Sequence, residues 1–499
     1  MDIKTLIEDL KDLQRKLHVF KHALGVLSYD SETAAPRLSD EGRGETMGAL
    51  SRMSYELLIN DRVRDLLEAL HERSAELDLQ SRREAEEMRR EYKNTTCIPM
   101  EEVVAYTKLV NKATAVWHDA KEKNDFESFR PFLADLVETG KRFAGYRDSA
   151  KKPYDVMLDD FEPGIDQSYL DEYFGRLRRE LVPLVRAIGE AGQPDTGWLK
   201  GTYPAALQEK LAKRVMAMMK VDTERCVLGQ SEHPFTTNFN NKDVRITTHY
   251  HEDNLLSSLY SVIHEAGHGL YELGIADELQ YGCLAGGVSM GIHESQSRLY
   301  ENMLGRSLPF AQALLPVMTD IFPDTFKGVE VSRLHKALNV SRPSLIRTES
   351  DELTYSMHIM VRYELEKALF EGSLQVSDLP GAWKALYKEY LGVEPQNDSE
   401  GVLQDVHWSG GMFGYFPSYS IGSAYSAQIY AAMAKDVDIE AALRAGDFAP
   451  INAWLGEKIH RHGGMMKPRD LIVSATGQAF DAGYYINYLK GKYSGLYSL

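Results

Sequence analysis

Apolar residues recur at spacings of three and four, with charged residues on the opposite faces, almost without interruption from Leu6 to about Met219. Such a run can fold only as a succession of amphipathic helices stacked on their apolar sides. The pattern breaks near Ala35-Pro36, Ile98-Pro99, Lys152-Pro153 and Gly192 to Gly201, where proline or glycine interrupts helical backbone. Segments dense in Glu and Arg, such as Arg82 to Tyr92, read as solvated helix faces. Between Cys226 and Tyr250 the texture changes to Thr, Val, Phe and Asn, with Gly229 and Asn240-Asn241 as turn signals. This is the one stretch where strands are expected. No Pro-, Gly- or Ser-rich linker, low-complexity stretch or internal repeat divides the 499 residues. The expected fold is mostly α: one large helical unit with a long internal cleft and a small sheet near residues 226–250.

Charge narrows the partners. Lys and Arg number 57 against 74 Asp and Glu, a formal charge of −17, which disfavours nucleic acid and anionic membrane. Three cysteines, Cys97, Cys226 and Cys283, form no C-x-x-C pair. A sparse, odd set points to reduced thiols in a cytoplasm, each read as a small buried hydrophobe. No run approaches the ~18 apolar residues that a spanning helix needs. The opening Met1 to Leu10 is acidic and amphipathic, which argues against a secretory signal.

Chemistry concentrates at His264-Glu265-Ala266-Gly267-His268. Apolar residues at 255, 256, 259, 262, 263, 266 and 270 give the surrounding segment a helical period, with a polar N-cap position in front and Gly274 as a stop. On a helix, positions i and i+4 lie on one face about 6 Å apart along the axis, so His264 and His268 can address one metal ion. Two neutral imidazoles leave a zinc ion charged enough to bring the pKa of its water to about 7. Glu265 can then take the proton and pass it to a leaving amine. Histidines on an amphipathic helix are more often core or surface residues, but a pair with an intervening Glu reverses that expectation.

A catalytic zinc site needs a third protein ligand. Glu272 lies roughly 12 Å along the axis from His264, too far to share the ion, and reads as a surface residue. Glu294, in a second helical segment after the turn Ala285-Gly286-Gly287, is the better candidate. Its neighbour His293 points about a quarter-turn away and is not expected to share the ion with it. Glu301, on the same face as Glu294, reads equally as a partner of the ligands or as a solvated position.

Other candidates carry open alternatives. On an extended segment Asp243, Arg245 and Thr247 share one face while Val244 and Ile246 face the core. That polar row could line a substrate groove or merely supply an ion pair that holds the sheet. His233-Pro234-Phe235 is a cleft turn or ordinary loop, and His249 and His251 have only proximity to recommend them. His460 and His462 read as structural or exposed. His407, Tyr415 and Tyr419 are candidate donors to a developing oxyanion, with the glycines of 410–414 letting the backbone bend around a ligand.

Six motifs in order, His233-Pro234-Phe235, Asp243-Val244-Arg245-Ile246-Thr247, the His264–His268 helix, His293-Glu294-Ser295-Gln296, Ile346-Arg347-Thr348-Glu349-Ser350-Asp351 and Gly401-Val402-Leu403-Gln404-Asp405-Val406-His407-Trp408, make the chain resemble the carboxypeptidase Taq family. These zinc metallocarboxypeptidases are related in architecture to neurolysin and angiotensin-converting enzyme. The resemblance covers the whole sequence and implies a two-lobed, neurolysin-like unit. Within one domain of residues 1–499 it suggests a helical lobe (1–220), a part with metal site, sheet and cleft (221–430) and C-terminal helices (431–499).

The same resemblance implies one zinc per chain, replaceable by cobalt, and peptide substrates with a free C-terminal carboxylate, cut with broad specificity by a homodimer. It gives Arg347 the carboxylate anchor, where the residues alone do not separate Arg347 from Arg245 or Arg342. It sets Gln404, His233, Asp243, Arg245 and Thr247 on the substrate side and makes the His407 to Tyr419 run similar to the oxyanion loop of neurolysin-type peptidases. The rivals are a zinc oligopeptidase cutting internal bonds and a metal-stabilised binding scaffold. Retention of Glu265 argues against the scaffold, because a structural site needs four protein ligands and no base.

Overall fold

The computed structural model describes residues 2–499, apart from the side chain of Arg37. Three of the four N-terminal helices, α1 (Ile3–Thr33), α2 (Asp61–Glu72) and α3 (Leu79–Thr96), bury Leu6, Leu10, Val63, Leu66, Leu67, Leu70, Ala85 and Met88 in a separate core, to which the helix Asp40–Leu58 adds Leu58. The apolar positions of α2 follow the three-and-four spacing of a single face, and the Asn60 side chain caps it by accepting from the Val63 N–H at 3.0 Å. The Glu- and Arg-rich stretch of α3 is solvated on one side only. Glu84 is buried and accepts from the Gln14 side chain of α1 at 3.1 Å, against the expectation of an open face.

Most of the remaining chain shares one apolar core whose members run from Ala113 to Tyr493, and Ile275, Leu279 and Leu284 form a small separate cluster. Helix boundaries follow the proline signals. Helix α1 ends before Ala35-Pro36, Pro99 precedes the helix Met100–Lys123, and Pro153 opens the helix Pro153–Phe161. Among the described residues no helix is long and apolar enough to cross a membrane.

The expected strands form a three-stranded sheet of β1 (Cys226–Gln230), β2 (Thr236–Asn240) and β3 (Asp243–Thr248), in the order β1-β3-β2. Strand β3 runs parallel to β1 and antiparallel to β2, with Val244 and Ile246 fully buried. Gly229 lies inside β1 facing Tyr29 of α1 rather than at a turn, a correction to the sequence reading. Cysteine burial also differs from expectation: Cys226 is buried, Cys97 half-buried and Cys283 exposed, and all three are free.

Four elements after the sheet carry the site. Helix α4 (Leu255–Leu273) starts on an Asn254 cap and stops at Gly274, as its sequence signals. Helix α5 (Met290–Arg298) continues into a π-helical turn, Leu299–Leu304. Helix α6 (Glu352–Glu371) is capped by Asp351, whose carboxylate accepts from the Leu353 and Thr354 N–H groups at 3.0 and 3.1 Å. Helix α7 (Phe416–Met433) follows the glycine-rich segment 410–414.

Candidate metal centre

Close backbone contact brings the ligands together. A Cβ at Gly267, between the two histidines of α4, would lie 2.8 Å from Ser297 Cα and 3.0 Å from the Gln296 carbonyl of α5. On another side of α5, a Cβ at Gly422 of α7 would lie 2.7 Å from Glu294 Cβ. Only glycine admits helices this near, and together the two contacts seat Glu294 against the histidines. The start of α5 is fixed by the buried Glu162, which accepts from the Ser289 hydroxyl at 3.0 Å and the Gly291 N–H at 2.9 Å. Burial raises the Glu162 carboxyl to about 7 against these donors.

Glu294 Oε2 lies 3.8 Å from His264 Nε2 and 3.6 Å from His268 Nε2. One ligand atom from each of the three residues falls within 4.8 Å of the others. Two imidazole nitrogens and one carboxylate oxygen with further coordination positions left over are the donor set of a catalytic divalent-metal site, and these residues fit such an ion.

Each histidine is oriented from behind. His264 Nδ1 is 2.9 Å from Glu301 Oε2, and Glu301 also accepts from Arg298 at 3.3 Å and Arg306 at 3.1 Å. Burial pushes Glu301 upward, but Arg298, His264 and Arg306 hold it well below the ordinary carboxylate range. For His268 the carboxylate acts at one remove: its Nδ1 is 2.6 Å from His293 Nδ1, and His293 Nε2 is 2.8 Å from Glu272 Oε1. With Nε2–H of His293 donating to Glu272 and Nδ1–H of His268 donating to His293, the His268 Nε2 lone pair is free for a metal.

Glu272 is therefore not the surface residue expected. It is buried because β2 and the loop before α5 fold across the end of α4, and it also accepts from Asn238 at 2.6 Å and from the Gly287 N–H at 3.2 Å. Glu301 takes the ligand-partner alternative, and His460 is buried and bonded to Gln296 at 2.9 Å. Glu265 is buried beside its histidine, its Oε2 accepting from the Thr236 hydroxyl of β2 at 2.5 Å. Burial raises its pKa, with His264 opposing.

A chain of cations leads away from the ligands. Arg298 donates to Glu294 Oε1 at 2.6 Å and stacks 4.2 Å over the Tyr355 ring. The Tyr355 hydroxyl accepts from Arg347 Nη1 at 3.0 Å, and Arg347 Nε donates to Asp405 Oδ1 at 2.9 Å. Arg362 Nε holds the other Asp405 oxygen at 2.7 Å. Burial raises Asp405, but Arg362 and Arg347 outweigh it and keep the carboxylate ionised. Two guanidinium groups on one carboxylate leave the cluster with a net positive charge. Gln404 accepts from the Arg347 backbone N–H at 3.0 Å.

His407 stands beside this cluster with Nε2 3.3 Å from the Tyr419 hydroxyl and its ring 5.5 Å from that of Tyr415. Burial, reinforced by Arg347, lowers it to about 4, so it is neutral at pH 7. The sheet residues are occupied otherwise. Asp243 and Arg245 pair at 2.9 Å, with Arg245 stacked over Tyr29 and Phe239. Thr247 is buried against the Ser231 hydroxyl at 2.6 Å, and His233 is exposed. His249 bonds the Ser231 carbonyl at 3.0 Å.

Sequence reasoning missed Arg298, Tyr355, Arg362 and the roles of Glu272 and Asp405. The i, i+4 spacing of Glu294 and Arg298 was a signal for the first. Asp405 lies inside the Gly401–Trp408 motif, and nothing local marks the others.

Two histidines one turn apart, a glutamate from a neighbouring helix and a buried carboxylate beside them, within a mostly helical fold, define a metallopeptidase. The chain belongs to the carboxypeptidase Taq (M32) metallopeptidase family, whose model matches residues 9–493. It is 40% identical to carboxypeptidase 1 of Bacillus subtilis over 501 aligned residues and 36% identical to thermostable carboxypeptidase 1 of Thermus thermophilus, with all of both chains covered in each case. The crystal structure of the M32 carboxypeptidase of Deinococcus radiodurans superposes with a TM-score of 0.96 at 36% identity, covering 99% of this chain and 100% of that one. Metallocarboxypeptidase 1 of Trypanosoma cruzi gives 0.94 at 34% identity, covering 98% and 99%. The chain is thus a hydrolase of the metallocarboxypeptidase class.

Proposed function

We propose that the chain is a zinc carboxypeptidase that removes C-terminal amino acids, with broad specificity, from peptides bearing a free terminal carboxylate. The observation that carries this reading is the convergence of His264, His268 and Glu294 beside the buried Glu265. A zinc ion, one per chain and replaceable by cobalt, would supply Lewis acidity there, polarising the scissile carbonyl and making water nucleophilic near neutral pH. Glu265 takes the proton of that water and delivers it to the departing amine. Neutral His407, with Tyr415 and Tyr419, donates hydrogen bonds to the oxygen that becomes negative.

Arg347 anchors the terminal carboxylate, and Gln404 steadies it through the backbone. Of its five N–H groups, Nε–H and one Nη2–H serve Asp405 and one Nη1–H serves Tyr355, which leaves two for a ligand. On the sheet side the exposed His233 faces the groove, while Asp243 and Arg245, paired with each other, and the buried Thr247 support its wall from behind. The domain division falls within this one catalytic unit, with residues 1–220, 221–430 and 431–499 as its parts.

Chelation should abolish hydrolysis and added Zn²⁺ or Co²⁺ should restore it, while Glu294→Ala should carry almost no metal by elemental analysis. Full metal occupancy in that variant would remove Glu294 from the ligand set. Product analysis on one peptide as free acid and as amide tests the exopeptidase reading. Only the free acid should release its last residue; internal cleavage of both would favour the oligopeptidase.

The assembly and setting belong to the same reading: a homodimer at work in the cytoplasm, a placement supported by the free cysteines. Light scattering at micromolar concentration should give about twice the 56.4 kDa chain mass. A value at the chain mass would refute the dimer and leave the hydrolase untouched.

A further inference from the structure

Glu366 is fully buried on α6 and belongs to none of the groups that face the ligands. Its Oε1 accepts from the Trp408 indole N–H at 2.6 Å, and its Oε2 accepts from the Gly414 N–H at 2.9 Å and the Tyr154 hydroxyl at 2.7 Å. Trp408 immediately follows His407, and Gly414 immediately precedes Tyr415. One carboxylate therefore clasps both ends of the segment that separates the two proposed oxyanion groups. Between them the chain turns through Gly411 at φ 71° and reaches Gly414 at φ 85°, with the Gly411 N–H donating to the Trp408 carbonyl at 3.0 Å and the Met412 N–H to the His407 carbonyl at 2.9 Å. Tyr154, from the helix Pro153–Phe161, fixes the carboxylate from the far side.

We propose that Glu366 is a positioning residue of the hydrolytic site, holding His407 and Tyr415 at the spacing that lets both reach the developing oxyanion. The proposal rests on the oxyanion role given above to the His407–Tyr419 run. Burial raises the Glu366 carboxyl to about 7, with the Gly414 N–H, the Trp408 indole and Tyr154 opposing, so assays near pH 8.5 keep it ionised. An indole N–H and a backbone N–H only donate, so the amide of Glu366→Gln must turn its NH₂ toward one of them. The substitution keeps the volume and releases one end of the loop.

Glu366→Gln should retain its metal and show a shifted Trp408 indole or Gly414 amide cross-peak in the ¹H–¹⁵N spectrum. Its kcat on a free-acid peptide should fall roughly 10- to 100-fold, the scale of an ångström misplacement, with KM changed little. Glu366→Asp, which keeps two acceptor oxygens, should recover part of the loss. In the His407→Ala background the further loss from Glu366→Gln should shrink below about threefold, because the group it positions is gone. Unchanged kcat with a shifted indole or amide signal, or losses that multiply fully with His407→Ala, would overturn the proposal.

Wild-type kcat in His407→Ala alone would instead retire the oxyanion role of His407. The cycle is then closed with Tyr415→Phe, and full multiplication there too would overturn the proposal. Trp408→Phe removes the same bond from the loop side and serves where Glu366→Gln fails to fold. It should lower kcat in the same way, and unchanged kcat in it counts against the proposal.

Discussion

Glu265→Gln should bind about one metal ion per chain and turn over roughly 10²- to 10⁴-fold more slowly than the parent, the cost of losing a positioned general base. The substitution preserves size, and the three groups that face the ion, His264, His268 and Glu294, are untouched. The proposed role fits its setting: burial raises the Glu265 pKa, and the Thr236 hydroxyl fixes Oε2. A carboxylate held in this way takes a proton more readily than an exposed one while staying pinned beside the ligands. Elemental analysis and kcat measured on the same preparation check the expectation. Metal at full occupancy with near-parental turnover would end the assignment of Glu265.

Arg347→Ala should lose about 2 to 5 kcal/mol of transition-state binding on free-acid peptides and far less on the corresponding amides. The reason lies in the Arg347–Asp405–Arg362 cluster, where the second arginine neutralises the aspartate and the first supplies the surplus charge. Removing Arg347 leaves Asp405 Oδ2 paired with Arg362 and takes the arginine donors from Oδ1 alone, so the aspartate keeps a counter-charge. The informative quantity is the ratio of kcat/KM for free acid over amide in parent and variant. An unchanged ratio would exclude Arg347 as the anchor and send the same measurement to Arg245→Ala.

The parts of the molecule legible in the sequence are those governed by local periodicity. Helix α4, with a polar cap position in front and its stop at Gly274, follows from apolar spacing and flanking signals, and the strand region from its Thr, Val, Phe and Asn texture, although Gly229 lies inside β1 and not at a turn. Glu294 could be chosen because axial distance eliminated Glu272. The same distance argument misjudged where Glu272 sits: being too far to bind the ion says nothing about burial, and the loop through Gly287 buries it. The clasp by Glu366 and the pairing of Arg362 with Asp405 join residues more than forty apart in the chain. Such contacts exist only after α6 packs against the segment following residue 400, and no periodicity announces them.

The two glycine contacts of α5 bear on which ion the chain accepts. Main chain meets main chain at Gly267, and at Gly422 the α7 backbone meets the stem of Glu294, so neither gap is filled by a side chain that could swing aside. The backbone positions beneath the three donors are thus held by contacts that leave no room for a Cβ, while Glu301 and the His293–Glu272 pair set the ring orientations. In the proposed site, two positions that carry no ligand and no charge thereby help to set the donor spacing on which discrimination by ionic radius depends.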